Sequence, residues 1–165
     1  MKRRFLLPLA ATLLMVLVMR VQGAPLVTLF SNDGIVDLEF AWSDQRFRGL
    51  MLLWDDGVVL VNLWLDFLFI GAYTWLLSSC CWMQMPRYRK AGIPNGFAAA
   101  ALAAGAFDIL ENVCLLARIG LWEQPLLLKG AAIAAGLKFS LIFLIVLFLL
   151  FSVTLRRKIV AAPGV

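Results

Sequence analysis

The chain has 165 residues, of which 63% are hydrophobic and only 15% are charged. Soluble domains contain roughly 45–50% apolar and roughly 25% charged residues, so this composition excludes an ordinary soluble domain and indicates a protein embedded in the lipid bilayer. The net charge of +5 does not indicate a nucleic-acid partner, because nine of the fifteen basic residues stand in three clusters that each border a hydrophobic stretch. These clusters are Lys2–Arg4, Arg87–Lys90 and Arg156–Lys158.

No cofactor and no metal site are predicted. The sequence has no His, which excludes haem with a His ligand, zinc sites built on His and catalytic His bases. Its three cysteines form no CxxC motif, so nothing indicates a thiol–disulfide centre.

The first hydrophobic segment, residues 5–21, has two interpretations that both stay open. As a retained helix it is the first membrane span. As a signal peptide it would be removed after Gly23, because Val21 and Gly23 suit positions −3 and −1 of a cleavage site, although Arg20 is unfavourable there. In either case the chain emerges on the far side of the membrane.

Three further segments, 58–82, 96–116 and 126–155, are long enough to cross the bilayer. A helix rises about 1.5 Å per residue and the hydrocarbon core is about 30 Å thick. The turn signal Pro94-Asn95-Gly96 precedes the third span, and Pro125 suits the first turn of the fourth. We predict an all-α membrane protein, with a bundle of four transmembrane helices in a single membrane domain over residues 1–165.

The basic clusters predict the orientation of the spans. The positive-inside rule places both termini and the loop 83–95 in the cytoplasm, and the loops 24–57 and 117–125 outside. The predicted location is therefore the inner cell membrane, with four passes.

The outer loop, residues 24–57, is predicted to form a short extracytoplasmic cap. Apolar and polar residues alternate over 36–42, which predicts an extended segment. Ser43 is predicted to cap a short helix with Asp44 in its first turn. That helix would carry the apolar side chains of Phe47, Leu50, Met51 and Trp54.

Glu39 and Trp42 are the candidate lid residues of this cap. A loop of this length without a core of its own has to rest its apolar face on a surface, and the outer end of the bundle is the nearest one. Glu39 and Trp42 would then lie at the mouth of a polar layer inside the bundle. The alternative is that the apolar face dips into the lipid head groups.

The polar layer consists of side chains that lie at similar depths in the outer half of the predicted spans. An ionisable group in hydrocarbon costs at least ~2.5–3.5 kcal/mol, so it is retained where it pairs, lines a wet cavity or takes part in chemistry. Small residues in 98–106 and 130–136 predict close contact of spans three and four, which would bring Lys138 toward Asp108 or Glu111. The predicted cluster is Asn62, Asp66, Asp108, Glu111, Asn112 and Lys138, of which the three on span three share one helix face.

Four stretches of the chain resemble an uncharacterised family of small bacterial four-span membrane proteins. The Asp-x-x-Glu-Asn run is the sharpest of them, and together they extend over most of the chain. The resemblance implies a four-helix bacterial membrane protein and implies no activity. The stretches are Gly34–Phe40, Leu65–Phe69, Asp108–Asn112 and Leu137–Phe139.

The charges of the predicted cluster allow two classes of function. Three carboxylic acids face Lys138, alone or with Arg20, and clustered carboxylates in a low dielectric cannot all stay ionised. The first interpretation is a non-enzymatic membrane protein, structural or binding a membrane-protein partner or a second copy, whose polar layer fixes the helix register. The alternative is a site that binds or transfers a small molecule, cation or proton, or a small intramembrane enzyme with Glu111 and Asp66 as acid and base.

Overall fold

The computed structural model describes residues 2–88, 92–120 and 124–161. Within these residues it has four long helices, two short helices between the first and second of them, two 3-10 turns and no β-strand. The long helices are α1 (Lys2–Gln22), α4 (Asp56–Trp82), α5 (Gly92–Gly120) and α6 (Pro125–Ala161), the short ones are α2 (Ile35–Glu39) and α3 (Asp44–Met51), and the 3-10 turns are Ala24–Leu26 and Met85–Arg87.

Each long helix contains a stretch that is apolar and long enough to cross a membrane. These stretches are Phe5–Gln22, Asp56–Trp82, Gly92–Gly120 and Pro125–Ser152, with mean hydropathies of 2.0, 1.6, 1.6 and 2.6. Only helices and closed barrels satisfy every backbone polar group inside hydrocarbon, so such stretches favour helices. The chain is a multi-pass membrane protein, and the predicted all-α, four-helix fold is confirmed.

One predicted boundary is wrong. Pro94-Asn95-Gly96 does not form a turn before the third span, because α5 already begins at Gly92 and includes these residues. Proline is tolerated in the first turn of a helix, where its missing N–H would have no intrahelical partner in any case. The proline therefore marks the start of the helix rather than its interruption.

The long helices pack in chain order, with α1 against α4, α4 against α5, and α5 against α6. Small residues allow α5 to pack closely against both of its neighbours. Gly105 faces α4 so closely that a Cβ atom built on it would lie 2.5 Å from Thr74 Cγ2. α5 and α6 also pack against each other, and their buried alanines are Ala98, Ala101, Ala104, Ala131, Ala132, Ala134 and Ala135.

Residues 23–55, which we call the cap, lie on one end of the bundle. Their apolar side chains form a common core with the ends of α4, α5 and α6. An ion pair adds to this attachment: Arg118 of α5 donates to Asp44 at 2.9 Å, and its guanidinium lies 4.7 Å from the ring centre of Phe47. The cap contributes Leu26, Leu38, Ala41, Phe47, Leu50 and Trp54 to the core.

The extended segment predicted over 36–42 is also wrong, because Ile35–Glu39 form the short helix α2. An extended strand needs a partner for its backbone N–H and C=O groups, whereas a helix pairs them locally. Gly34 provides the turn into this helix with a φ of +60°, a conformation that glycine adopts without steric cost.

The helix predicted after Ser43 is confirmed. Its N-cap is Ser43, whose hydroxyl accepts a hydrogen bond from the backbone N–H of Arg46 at 3.2 Å, and Asp44 lies in its first turn. The helix ends at Met51, so Trp54 lies beyond it, contrary to the prediction, although its side chain is buried in the cap core.

Candidate functional site

The Lys138 side chain lies at the centre of a buried group of carboxylates. Its Nζ donates to Asp108 Oδ1 at 2.8 Å and to Glu111 Oε1 at 3.0 Å. Glu39 Oε2 is 3.2 Å from the same nitrogen. Because all four residues are largely buried, water screens these interactions only weakly.

The spacing of the polar residues on α5 explains how this helix contacts polar side chains of both α4 and α6. Asp108, Glu111 and Asn112 lie within about one turn of each other on one face of the helix. Asp108 and Glu111 reach Lys138 on α6, whereas Asn112 Nδ2 donates to Asp66 Oδ2 on α4 at 2.7 Å. The structure therefore brings together five of the six residues of the predicted cluster.

Asn62 is the sixth residue, and the structure places it elsewhere. Its Nδ2 donates to Gln22 Oε1 at 2.6 Å, and Gln22 Nε2 donates to the backbone oxygen of Val58 at 2.8 Å. Asn62 thus connects the end of α1 to α4. Arg20 is exposed and makes no ion pair with a described residue, so it adds no positive charge to the cluster.

The sequence interpretation missed Tyr73. Its hydroxyl donates to Asp108 Oδ2 at 2.8 Å, so Asp108 accepts one hydrogen bond on each oxygen. The sequence does contain a signal for this role, because Tyr73 follows Asp66 by seven residues on α4. That spacing is close to two helical turns and places both side chains on the same face.

The two candidate lid residues have different surroundings. Glu39 is 9% exposed and belongs directly to the cluster, whereas Trp42 is 53% exposed. The neighbour of Glu39, Phe40, stacks on Phe139 of α6 with ring centroids 6.0 Å apart. Burial raises the pKa of the Glu39 carboxyl above its ordinary value, and the positive charge of Lys138 offsets only part of that increase.

A cavity of about 450 Å³ adjoins the cluster. It lies between α1, α4 and α6 and is covered by α2, so α1 and α6 face each other across it. Five polar side chains of the site line one part of it, and the remaining lining is mostly apolar. The polar residues are Glu39, Asp66, Tyr73, Asp108 and Lys138, and the other lining side chains include Met19, Ile35, Phe69, Leu76, Leu77 and Ile142.

Glu111 differs from the other members of the cluster. Its side chain is 0% exposed, and it is not among the residues that line the cavity. Its two oxygens lie 3.0 and 2.9 Å from Lys138 Nζ. Glu111 therefore pairs with the Lys138 ammonium without lining the cavity, whereas Asp66 is one of the residues that line it.

The site combines acceptor groups with a shortage of positive charge. Among the side chains that the structure describes there, four carboxyls (Glu39, Asp66, Asp108 and Glu111) stand against one ammonium, so three negative charges would be unmatched if every carboxyl were ionised. Uncompensated charges in a low-dielectric interior are costly. The site can therefore take up protons or a cationic group.

Comparisons with known proteins give no further assignment. No family model, no curated protein and no solved structure matches the chain.

Proposed function

We propose that this protein binds a membrane-borne amphiphile in the cavity between α1, α4 and α6. The proposal places the chain in the inner membrane of a bacterium with both termini in the cytoplasm, and it requires α1 to be retained. The polar group of the ligand would meet the cluster around Lys138, and its apolar part would lie along the helices. The ligand would enter from the bilayer between α1 and α6.

One observation carries the proposal: residues of the charged cluster line a cavity whose wall is otherwise mostly apolar. Asp66, Tyr73 and Lys138 all line that cavity. Its volume of about 450 Å³ falls within the roughly 300–1,000 Å³ of small-molecule sites, which are mostly apolar with a few converging polar groups. If the cluster served only helix packing, we would expect side chains to fill this cavity, because protein interiors are normally close-packed.

A second candidate function is favoured by Glu111. This carboxylate is fully buried away from the cavity and holds Lys138 in place. That arrangement suits a non-enzymatic protein whose ion cluster fixes the register of α5 and α6, so that another membrane protein or a second copy can bind its outer surface.

The experiment that separates the two candidates uses the full-length protein in nanodiscs of phosphatidylcholine. A photoreactive long-chain alcohol in the bilayer should label the peptides of α4 and α6 that line the cavity. The Ile142→Trp substitution should remove most of this labelling, because the indole fills the cavity. Leu144→Trp is the matched control, because Leu144 is 52% exposed on the opposite face of α6.

Equal labelling of the two tryptophan variants would contradict the binding proposal. So would the absence of label from these peptides in the unmodified protein. The second candidate predicts that absence, together with a lower yield of folded protein for Glu111→Gln.

A further inference from the structure

We propose that the ligand of this cavity is a single-chain amphiphile with a protonated amine head group. This inference rests on the proposed function and adds the chemistry of the ligand. It follows from which hydrogen-bonding groups of the cluster are already occupied, from their net charge and from the shape of the apolar part of the cavity.

The first step concerns Lys138, which is not available to an anionic head group. It carries three N–H donors. Asp108 and Glu111 accept two of them, and a third carboxylate, Glu39, lies 3.2 Å away. A phosphate or carboxylate ligand would have to displace one of these partners and would add negative charge to a site that already has an excess.

The second step concerns the carboxylate oxygen that is still free to accept a hydrogen bond, which belongs to Asp66. Asp66 receives one hydrogen bond, from Asn112 to its Oδ2, and its Oδ1 accepts none from the residues that the structure describes. Glu39 Oε2 lies 3.2 Å from Lys138 Nζ and is therefore already paired with the ammonium. Both side chains line the cavity. Asp66 Oδ1 is thus an acceptor without a protein donor at the wall of the cavity, so a ligand that donates a hydrogen bond is favoured there.

The third step is charge complementarity. An alkylamine is protonated at neutral pH for the same reason as a lysine side chain. Its ammonium would supply both the missing donor at Asp66 and one of the missing positive charges. A neutral alcohol would supply only a donor, and a carboxylate would supply neither.

The fourth step is the shape of the apolar part. Asp66 and Leu77 both line the cavity and are eleven residues apart on α4, which corresponds to ~16 Å along the helix. On α6 the lining continues from Lys138 to Ile142. The lining residues therefore extend over about three turns of α4, a length that an extended alkyl chain can follow.

The test compares three probes that share one alkyl chain: dodecylamine, dodecanol and dodecanoate. Each competes with the photoreactive alcohol for the full-length protein in phosphatidylcholine nanodiscs, at equal mole fraction in the bilayer. We expect dodecylamine to bind at least about tenfold more tightly than dodecanoate, a difference that corresponds to ~1.4 kcal/mol, with dodecanol between them.

Two variants test whether the amine binds at Asp66. Asp66→Asn should weaken the binding of dodecylamine by about tenfold, since it removes one partly desolvated ion pair, and should leave dodecanol almost unchanged. Asp33→Asn is the matched control, because it removes the same charge from an exposed site of the cap away from the cavity. If Asp66→Asn fails to fold, the order of the affinities of the three probes for the unmodified protein decides whether the inference holds.

Dodecanoate competing as well as dodecylamine would overturn the inference about the head group, and so would an Asp66→Asn variant with unchanged affinity for the amine. In either case labelling by the photoreactive alcohol would still support the proposed function. If the alcohol does not label the cavity, the proposed function fails, and this inference fails with it.

Discussion

At the scale of single residues, Lys138 determines the arrangement of the site. Its ammonium is the one positive charge among the described side chains of the cluster, and carboxylates from α2 and α5 converge on it. A buried ion pair is weak evidence for net stability, because desolvation opposes the Coulombic attraction. Removing one partner of such a pair is strongly destabilising, because the remaining charge stays buried without a counter-charge.

We therefore expect Lys138→Met to lower the free energy of unfolding by about 3–5 kcal/mol, the usual cost of breaking a buried pair. The measurement is unfolding by SDS titration of the detergent-solubilised protein, with folded yield as a second readout. Lys129→Met on the same helix is the control, because Lys129 is exposed. If the two variants were equally stable, the cluster would not be the compact ion group described above.

At the scale of secondary-structure elements, small residues set the distances between the long helices. Lipid provides no hydrophobic driving force between helices, so close packing supplies much of their association. Alanines on both helices allow α5 and α6 to approach, and Gly105 allows α5 to approach α4. The approach at Gly105 is the tighter constraint, because Thr74 is held by a hydrogen bond from its Oγ1 to the backbone oxygen of Ile70 at 2.6 Å.

Gly105→Ala should destabilise the protein by about 1–3 kcal/mol, the usual cost of forcing an extra methyl group into a packed interior. The new Cβ would lie 2.5 Å from Thr74 Cγ2, so α4 or α5 has to shift. Gly136→Ala on α6 is the control, because a Cβ there meets no atom within 4 Å and the gain in helix propensity is the same. SDS titration of both variants gives the comparison. An equal effect of the two would show that the α4–α5 distance is not limiting.

At the scale of the whole molecule, the packing of the helices in chain order creates the cavity. Because α1 packs on α4 and α6 packs on α5, α1 and α6 remain apart and the cavity lies between them, with α2 above it. The cap is anchored to the bundle by its own core and by the pair of Arg118 with Asp44. The basic clusters of the sequence predict the direction of this assembly across the membrane.

A reporter fused after Val165 should therefore be active in the cytoplasm, because the basic residues 156–158 are expected to stay on that side. The assay is a pair of fusions at this position, one active only in the cytoplasm and one active only outside it. The reciprocal control is an insertion at Asp33, an exposed residue of the cap that should report the outer side. Activity of the outer reporter after Val165 would refute the proposed orientation.

The sequence alone determined the class of fold and that the polar residues lie within apolar helices long enough to span a membrane. Hydropathy predicts the four spans because the bilayer permits only elements that pair their own backbone groups. The spacing of Asp108, Glu111 and Asn112 predicts a shared helix face because the helical period is fixed. Ser43 predicts the start of α3 because its hydroxyl pairs an N–H in the first turn.

Tertiary structure decided the partners of these side chains. Asn62 pairs with Gln22 and not with the cluster, and the hydroxyl of Tyr73 donates to Asp108. Glu39 joins the cluster from the helix α2, whereas the sequence pattern predicts an extended segment there. Each of these contacts depends on how two elements are rotated and tilted against each other, which local periodicity does not encode. The cavity depends on the same geometry, because it is the space that α1 and α6 leave between them when both pack on their chain neighbours.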